Sequence, residues 1–214
     1  MPINMVIFDV GGTLIDEQRM WQRHAENLGV ATSDLLQVLE ATIARREHHH
    51  RAFAQFDPTY VPSEGQNPSA AFAAATRFDE RDLFPDARQC FMELRARGMK
   101  IGIAGNQPAS AKRDLEKTGL IVDLNGTSAG WGTAKPDLAF FQKIIETSGE
   151  FAERIAYVGD RLDNDVLPAK AVGMTAIFLV RGLWGRTQVD WPEASQASAR
   201  ISNLSELPGV LEAL

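Results

Sequence analysis

Four carboxylates and one lysine stand where they could do chemistry. Asp9 closes the apolar run Met5-Val6-Ile7-Phe8 and is followed by Gly11-Gly12. Asp160, Asp163 and Asp165 follow a second such run, Ile155 to Val158, and Lys135-Pro136 sits in a loop with Gly130 and Gly132 ahead of a helical stretch. Buried parallel strands read as continuous apolar runs, and ligands of an open parallel sheet bind where the carboxyl ends of its strands open into loops. Carboxylates gathered there repel one another, so a hard cation is their natural partner. Mg²⁺ suits best, because it accepts a few carboxylates and keeps water or phosphate oxygens as its other ligands. Singly, each residue has an ordinary structural use: Asp9 as a turn cap, Lys135 as a surface cation, Asp163 as a helix N-cap. Together, Asp9, Lys135 and Asp160 would be independent coincidences at one sheet edge, and the functional reading is the better one for these three.

The elements that must position them repeat one grammar. Met99 to Ala104 runs into Gly105, Leu120 to Leu124 into Asn125-Gly126, and Thr175 to Val180 into Arg181-Gly182. Helical patterns lie between, at Asp86 to Arg97, Ala109 to Thr118, Asp137 to Thr147 and Asn164 to Val172. This alternation predicts an α/β fold, a doubly wound parallel sheet with crossover helices. From Asp16 to Arg81 the alternation stops. Helix-like segments at Glu17 to Asn27, Ser33 to Phe53 and Ser69 to Arg77 surround a loop, Asp57 to Pro68, that carries Pro58, Pro62 and Gly65. The expected division is a core of residues 1–15 and 82–214 and a small helical domain, 16–81, inserted after strand one. The tail after Arg181 is less readable, and Trp184 and Trp191 are expected to pack on the surface.

Composition excludes several classes. A net charge of -6, with no basic run longer than Arg45-Arg46, supplies no footprint for nucleic acid. No stretch approaches the roughly 20 apolar residues of a membrane span, and no basic region precedes the first apolar run. Cys90, the single cysteine, lies in an amphipathic helical pattern and reads as a packed thiol suited to a reducing cytoplasm. A cytoplasmic monomer or homodimer is the expectation.

Three motifs in this order and spacing resemble those of the haloacid dehalogenase superfamily: Phe8-Asp9-Val10-Gly11-Gly12-Thr13-Leu14, then Lys135-Pro136-Asp137, then Gly159-Asp160-Arg161-Leu162-Asp163-Asn164-Asp165. The resemblance extends over nearly the whole chain, and the helical insertion resembles that family's cap domain. It implies a Rossmann-like core and hydrolysis of a small phosphorylated metabolite. In that scheme Asp9 is the nucleophile. Asp9, Asp160 and the backbone carbonyl of Gly11 are Mg²⁺ ligands, Lys135 stabilises charge, and Asp165 either joins the metal shell or holds Lys135. Gly12, Thr13, Gly105 and Asn106 are the remaining phosphate-binding candidates; Thr13 and Asn106 could equally satisfy loop backbone. A carboxylate nucleophile divides ester cleavage into formation and hydrolysis of an aspartyl phosphate, while a metal ion and a lysine neutralise the phosphoryl oxygens.

Two departures stand out. Most phosphatases of this type carry a second aspartate, the acid/base, two residues after the nucleophile; here that position is Gly11. Loss of such a group removes about 10² to 10⁴ in rate, so slow turnover is expected unless Asp16, Glu17, His24 or one of His48, His49 and His50 substitutes. The histidine triplet is expected on a solvated helix face, because consecutive positions spread around a helix, and Asp16 and Glu17 are expected to supply negative charge at a helix start. The second departure is Ala104-Gly105-Asn106, where a serine or threonine usually binds phosphate. Alternatives are 2-haloacid dehalogenation, against which the retained Asp160 counts, and a catalytically impaired module that binds a phosphometabolite or partner. Phosphonatase chemistry needs a lysine in the inserted domain, and none precedes Lys100.

Overall fold

The computed structural model describes residues 2–61 and 68–214; Pro62 and Gly65 of the expected loop lie outside the described residues. Met5–Phe8 forms β1, buried along its whole length because it is central. Lys100–Gly105 (β2) and Ile155–Gly159 (β4) flank it. Leu124–Thr127 (β3) lies beyond β2, and Thr175–Leu179 (β5) and Ala199–Ile201 (β6) extend the other side. The order is β3-β2-β1-β4-β5-β6, and every pairing is parallel. Successive β1 side chains feed opposite faces: Val6 and Phe8 join one core cluster, Met5 and Ile7 the other.

Helices α1 (Gln18–Leu28), α2 (Thr32–Ala44), α3 (His50–Ala54) and α4 (Ala70–Ala75) intervene between β1 and β2, and α5 (Ala87–Ala96) leads into β2. Next come α6 (Ala111–Lys117), α7 (Ser128–Trp131), α8 (Leu138–Ser148), α9 (Leu167–Ala171), α10 (Gly182–Gln188) and α11 (Leu207–Ala213). Both faces are therefore covered, as a parallel sheet requires. The first cluster packs α5 and α11 on the sheet through Phe91, Leu94 and Leu211; the second packs α8 and α9 through Phe140, Phe141 and Ala169. Helices α1 to α3 build a third cluster around Trp21, Leu39 and Phe53, which Leu183 and Trp184 of α10 complete. Among the described residues no helix is long and apolar enough to cross a membrane.

Four sequence expectations need correction. The third strand is β3, not Leu120 to Leu124: Ile121 is exposed, and pairing begins at Gly102 with Leu124 and continues through Asn125 and Gly126. Gly126 is there because the Trp131 ring covers its face, not because the chain turns. The helix expected from Ser33 to Phe53 breaks after Ala44, where Arg46 takes a left-handed φ of 60° and the N–H groups of Arg46 and Glu47 close on the carbonyls of Ile43 and Thr42. Trp184 is buried, not at the surface. Asp163 is not an N-cap: it lies inside a π-helical turn, Leu162–Val166, and its carboxylate accepts Arg161 and Gln188. Cys90 is buried, and burial, then Asp86, pushes its thiol up to about 12, as suits an inert packed side chain.

Candidate active site

β1, β2 and β4 are neighbours, so Asp9, Gly105 and Asp160 emerge side by side at the carboxyl edge of the sheet. The Asp9 N–H still bonds the Val158 carbonyl at 2.9 Å. Beyond Asp9 the chain folds back on itself: Gly12 N–H bonds the Ile15 carbonyl and Ile15 N–H that of Val10, both at 2.9 Å. Gly12 has φ +67°, and any side chain there would collide with Asp160 Oδ2. A glycine is required on both counts.

Lys135 arrives from the β3 side and is held through its main chain. The Asn106 side chain accepts the Lys135 N–H at 2.7 Å and donates to the Lys135 carbonyl at 2.8 Å. Asn106 thus satisfies loop backbone, the second of its two expected uses. The Lys135 ammonium, buried, donates to Asp9 Oδ1 and to Asp165 Oδ1, both at 2.5 Å. Burial opposes its charge, but Asp165 and then Asp9 outweigh that and hold Lys135 well above the usual lysine range. The other Asp165 oxygen accepts the Arg161 N–H at 3.0 Å, so Asp165 holds Lys135 from a fully buried position.

Among the described residues Asp160 has no such partner. Its Oδ2 is buried without a hydrogen bond. Burial first, then Asp165, Asp9 and Glu17, push its carboxyl well above the usual carboxylate range. Carboxylate oxygens of Asp9, Asp160 and Asp165 lie within 4.8 Å of one another. Three converging carboxylates, one of which keeps an orphaned buried oxygen, matched by one ammonium, form a donor set that fits a hard divalent cation.

These residues open into a cavity of about 810 Å³ between the sheet edge and the inserted helices. Asp9, Gly11, Asn106, Lys135 and Asp160 border it; Gly12, Thr13, Gly105 and Asp165 are buried and do not line it. Thr13 is fully buried, and its Oγ1 makes no hydrogen bond among the described residues.

The candidate substitutes for the missing acid all line this cavity, and Glu17 is the one whose carboxyl lies against Gly11. Asp16 accepts the Gln18 N–H at 3.0 Å and serves the start of α1. Glu17, the adjacent N-cap residue, makes no cap bond. Its carboxyl turns toward Gly11, and a Cβ placed on Gly11 would overlap Glu17 Oε1. Gly11 lies outside the left-handed region, so the bar to a side chain there is steric. Burial, then the charge of Asp9, raises the Glu17 carboxyl to about 8. Sequence reasoning weighed Glu17 but assigned it to the helix start; the one available signal was the space a glycine leaves at position 11.

His24 is buried in the inserted helices, where its Nδ1 meets the Tyr60 hydroxyl at 2.8 Å, and burial, then Arg23, lowers it to about 4. The triplet does not spread around a helix. Only His50 belongs to α3, and the three rings lie with centroids 4.4 to 4.6 Å apart, His49 against Trp184.

A model of haloacid dehalogenase-like hydrolases matches residues 3–173, and the chain belongs to that family. It is 31% identical over 134 residues to a glyceraldehyde 3-phosphate phosphatase of Methanocaldococcus jannaschii, covering 61% of this chain and 57% of the relative, a little over half its length. A sesquiterpene phosphatase of Aspergillus oryzae is 30% identical over 184 residues, 83% of this chain and 90% of the relative. Among solved structures, a phosphatase of the family from Thermococcus onnurineus superposes with a TM-score of 0.64 at 25% identity, covering 98% of each chain. The L-2-haloacid dehalogenase of Xanthobacter autotrophicus, at 18% identity, 99% of each chain and a TM-score of 0.70, shares the fold.

Proposed function

We propose that this chain is a Mg²⁺-dependent phosphatase that cleaves a phosphate monoester through a phosphorylated Asp9. The observation that carries the reading is the buried Asp9–Lys135–Asp165 chain beside an orphaned Asp160 oxygen at the floor of a cavity. The names of the relatives support it.

Asp9, Asp160 and the Gly11 carbonyl would hold Mg²⁺, which when bound supplies positive charge for the phosphoryl oxygens. An Asp9 oxygen attacks phosphorus, the ester P–O bond breaks, and Glu17 gives its proton to the departing alkoxide. Glu17 then takes a proton from water, whose oxygen bonds to phosphorus as the Asp9–phosphate bond breaks, releasing inorganic phosphate. Lys135 balances the charge of Asp9 throughout, and Asp165 fixes the ammonium. The inserted segment, 16–81, acts as a cap over the core, 1–15 and 82–214, and excludes water from the phosphorylated intermediate.

Displacement at carbon, as in dehalogenation, has no use for the uncompensated carboxylate at position 160. Glu17 removes the main reason to read the chain as a turnover-deficient binding module. Phosphate release from small monoesters, measured with Mg²⁺ and with a chelator, tests the proposal. Turnover that needs Mg²⁺ and is abolished by Asp9→Asn supports it; halide release without metal would replace it.

A further inference from the structure

Beyond the phosphate-binding floor, one side of the cavity is a hydrocarbon wall, set among charged and polar side chains. Met20, Trp21, Ile43, Phe53, Phe72 and Trp184 line it. Their rings pack edge to face and tilted, Trp21 with Trp184 at 5.7 Å and Phe53 with Phe72 at 6.0 Å between centroids. At about 810 Å³ the space lies within the ~300–1,000 Å³ typical of small-molecule sites and exceeds what a phosphoryl group needs.

The charges on that wall are already engaged. Arg23 donates to the carbonyls of Ala75 and Arg77. Arg46 forms a two-point pair with Glu193, at 2.8 and 3.0 Å, and covers Trp191. Arg161 forms a two-point pair with Asp163 and lies over the Trp184 ring. Lys135 belongs to Asp9 and Asp165. Among the described residues, three of the four lysines and arginines lining the cavity are paired with carboxylates and the fourth, Arg23, is held by two carbonyls, so little there is free to greet a second phosphate or a carboxylate on the substrate. Uncompensated burial of such an anion is costly. A cationic head group fares no better, because the lining carboxylates Asp82, Glu47 and Asp163 are themselves paired with Arg19, Arg45 and Arg161. Burial keeps His24, His49 and His50 below the ordinary histidine range, and the same desolvation acts on an ammonium. The Trp184 face that could hold one is taken by Arg161.

We propose that the substrate is a phosphate monoester of an uncharged, hydrocarbon-rich alcohol, whose carbon skeleton fills the aromatic wall between α1, α3, α4 and α10 while its phosphate rests at Asp9. The proposal rests on the phosphatase reading for the reaction, though not for the binding.

The test is a series of primary alkyl phosphates from ethyl through butyl and hexyl to octyl, together with 2-phenylethyl phosphate, assayed for phosphate release with Mg²⁺. Glycerol 3-phosphate, phosphoglycolate, phosphoserine and phosphocholine are the polar comparators. The leaving groups of the alkyl series are alike, so burial alone should raise kcat/KM by about fourfold per methylene until the wall is filled. Phe72→Ala should remove about tenfold or more from octyl phosphate relative to ethyl phosphate. A flat or falling series, or preference for a carboxylate-bearing or ammonium-bearing ester, overturns the proposal while leaving the phosphatase reading intact. If no ester is hydrolysed, the Asp9→Asn protein is titrated with the same alkyl phosphates and tryptophan fluorescence is followed. Affinity rising along the series then supports the hydrocarbon site while the phosphatase reading fails, and absence of binding by octyl phosphate overturns the site.

Discussion

Replacing Glu17 with glutamine keeps the shape of the side chain and removes its transferable proton. With a poor leaving group such as an alkoxide, both half-reactions need that proton, so kcat should fall by about 10² to 10⁴, equivalent to about 2.7 to 5.4 kcal/mol of barrier. An aryl phosphate with a good leaving group should restore the first half-reaction but not the second, so phosphorylated enzyme should accumulate in a quenched-flow assay. The geometry predicts more. A side chain at position 11 and the Glu17 carboxyl claim one volume, so Gly11→Asp in the native background should cost stability, about 1–3 kcal/mol for overpacking, and should lower turnover. Adding Glu17→Ala vacates the volume. The double variant, with its acid on the strand-end loop, should be more active and more stable than Gly11→Asp alone, a coupling of about 2–3 kcal/mol by double-mutant cycle. Additive effects of the two changes, or native kcat in Glu17→Gln, would refute the assignment of Glu17.

Two further consequences follow from buried charges. Asp160→Asn removes an unpaired buried carboxylate, so in chelator it should stabilise the fold by about 1–3 kcal/mol. Mg²⁺ should raise the Tm of the native protein but not of this variant, by differential scanning calorimetry. His24, lowered to about 4 from an ordinary value near 6.5, binds its proton more readily when unfolded. Its contribution is therefore full above pH 6.5 and is lost as pH falls toward 4, about 3 kcal/mol in all. Urea unfolding between pH 8 and 4 should show that loss together with those of His49 and His50, which burial also lowers, and His24→Phe should remove its share of the slope; an unchanged slope would contradict the burial argument.

The sheet was legible because parallel strands buried on both faces announce themselves as apolar runs, and the loops after them carried Asp9, Lys135 and Asp160 to one edge. β6 was not, since three residues, Ala199–Ile201, at a sheet border make no such run. The break between α2 and α3 contains no glycine or proline; long-range pairing of Arg46 with Glu193 and its stacking on Trp191 fix the turn. The role of Asn106 as a clamp on Lys135, and that of Glu17 at the Gly11 surface, depend on contacts between segments 29 and 6 residues apart that no local pattern encodes. The aromatic wall was hidden for the same reason. Its rings come from four helices, and Trp184 is carried by the core and not by the insertion.

The central claim concerns one oxygen atom of Asp9 and its bond to phosphorus. Acid quenching during turnover of an alkyl phosphate with Mg²⁺, followed by peptide mass spectrometry, should find one phosphoryl group on the peptide containing Asp9. That label should be absent with chelator and in Asp160→Asn, and enriched in Glu17→Gln. Sustained phosphate release with no label on Asp9 in any of these proteins, or a label on another residue, would contradict the account.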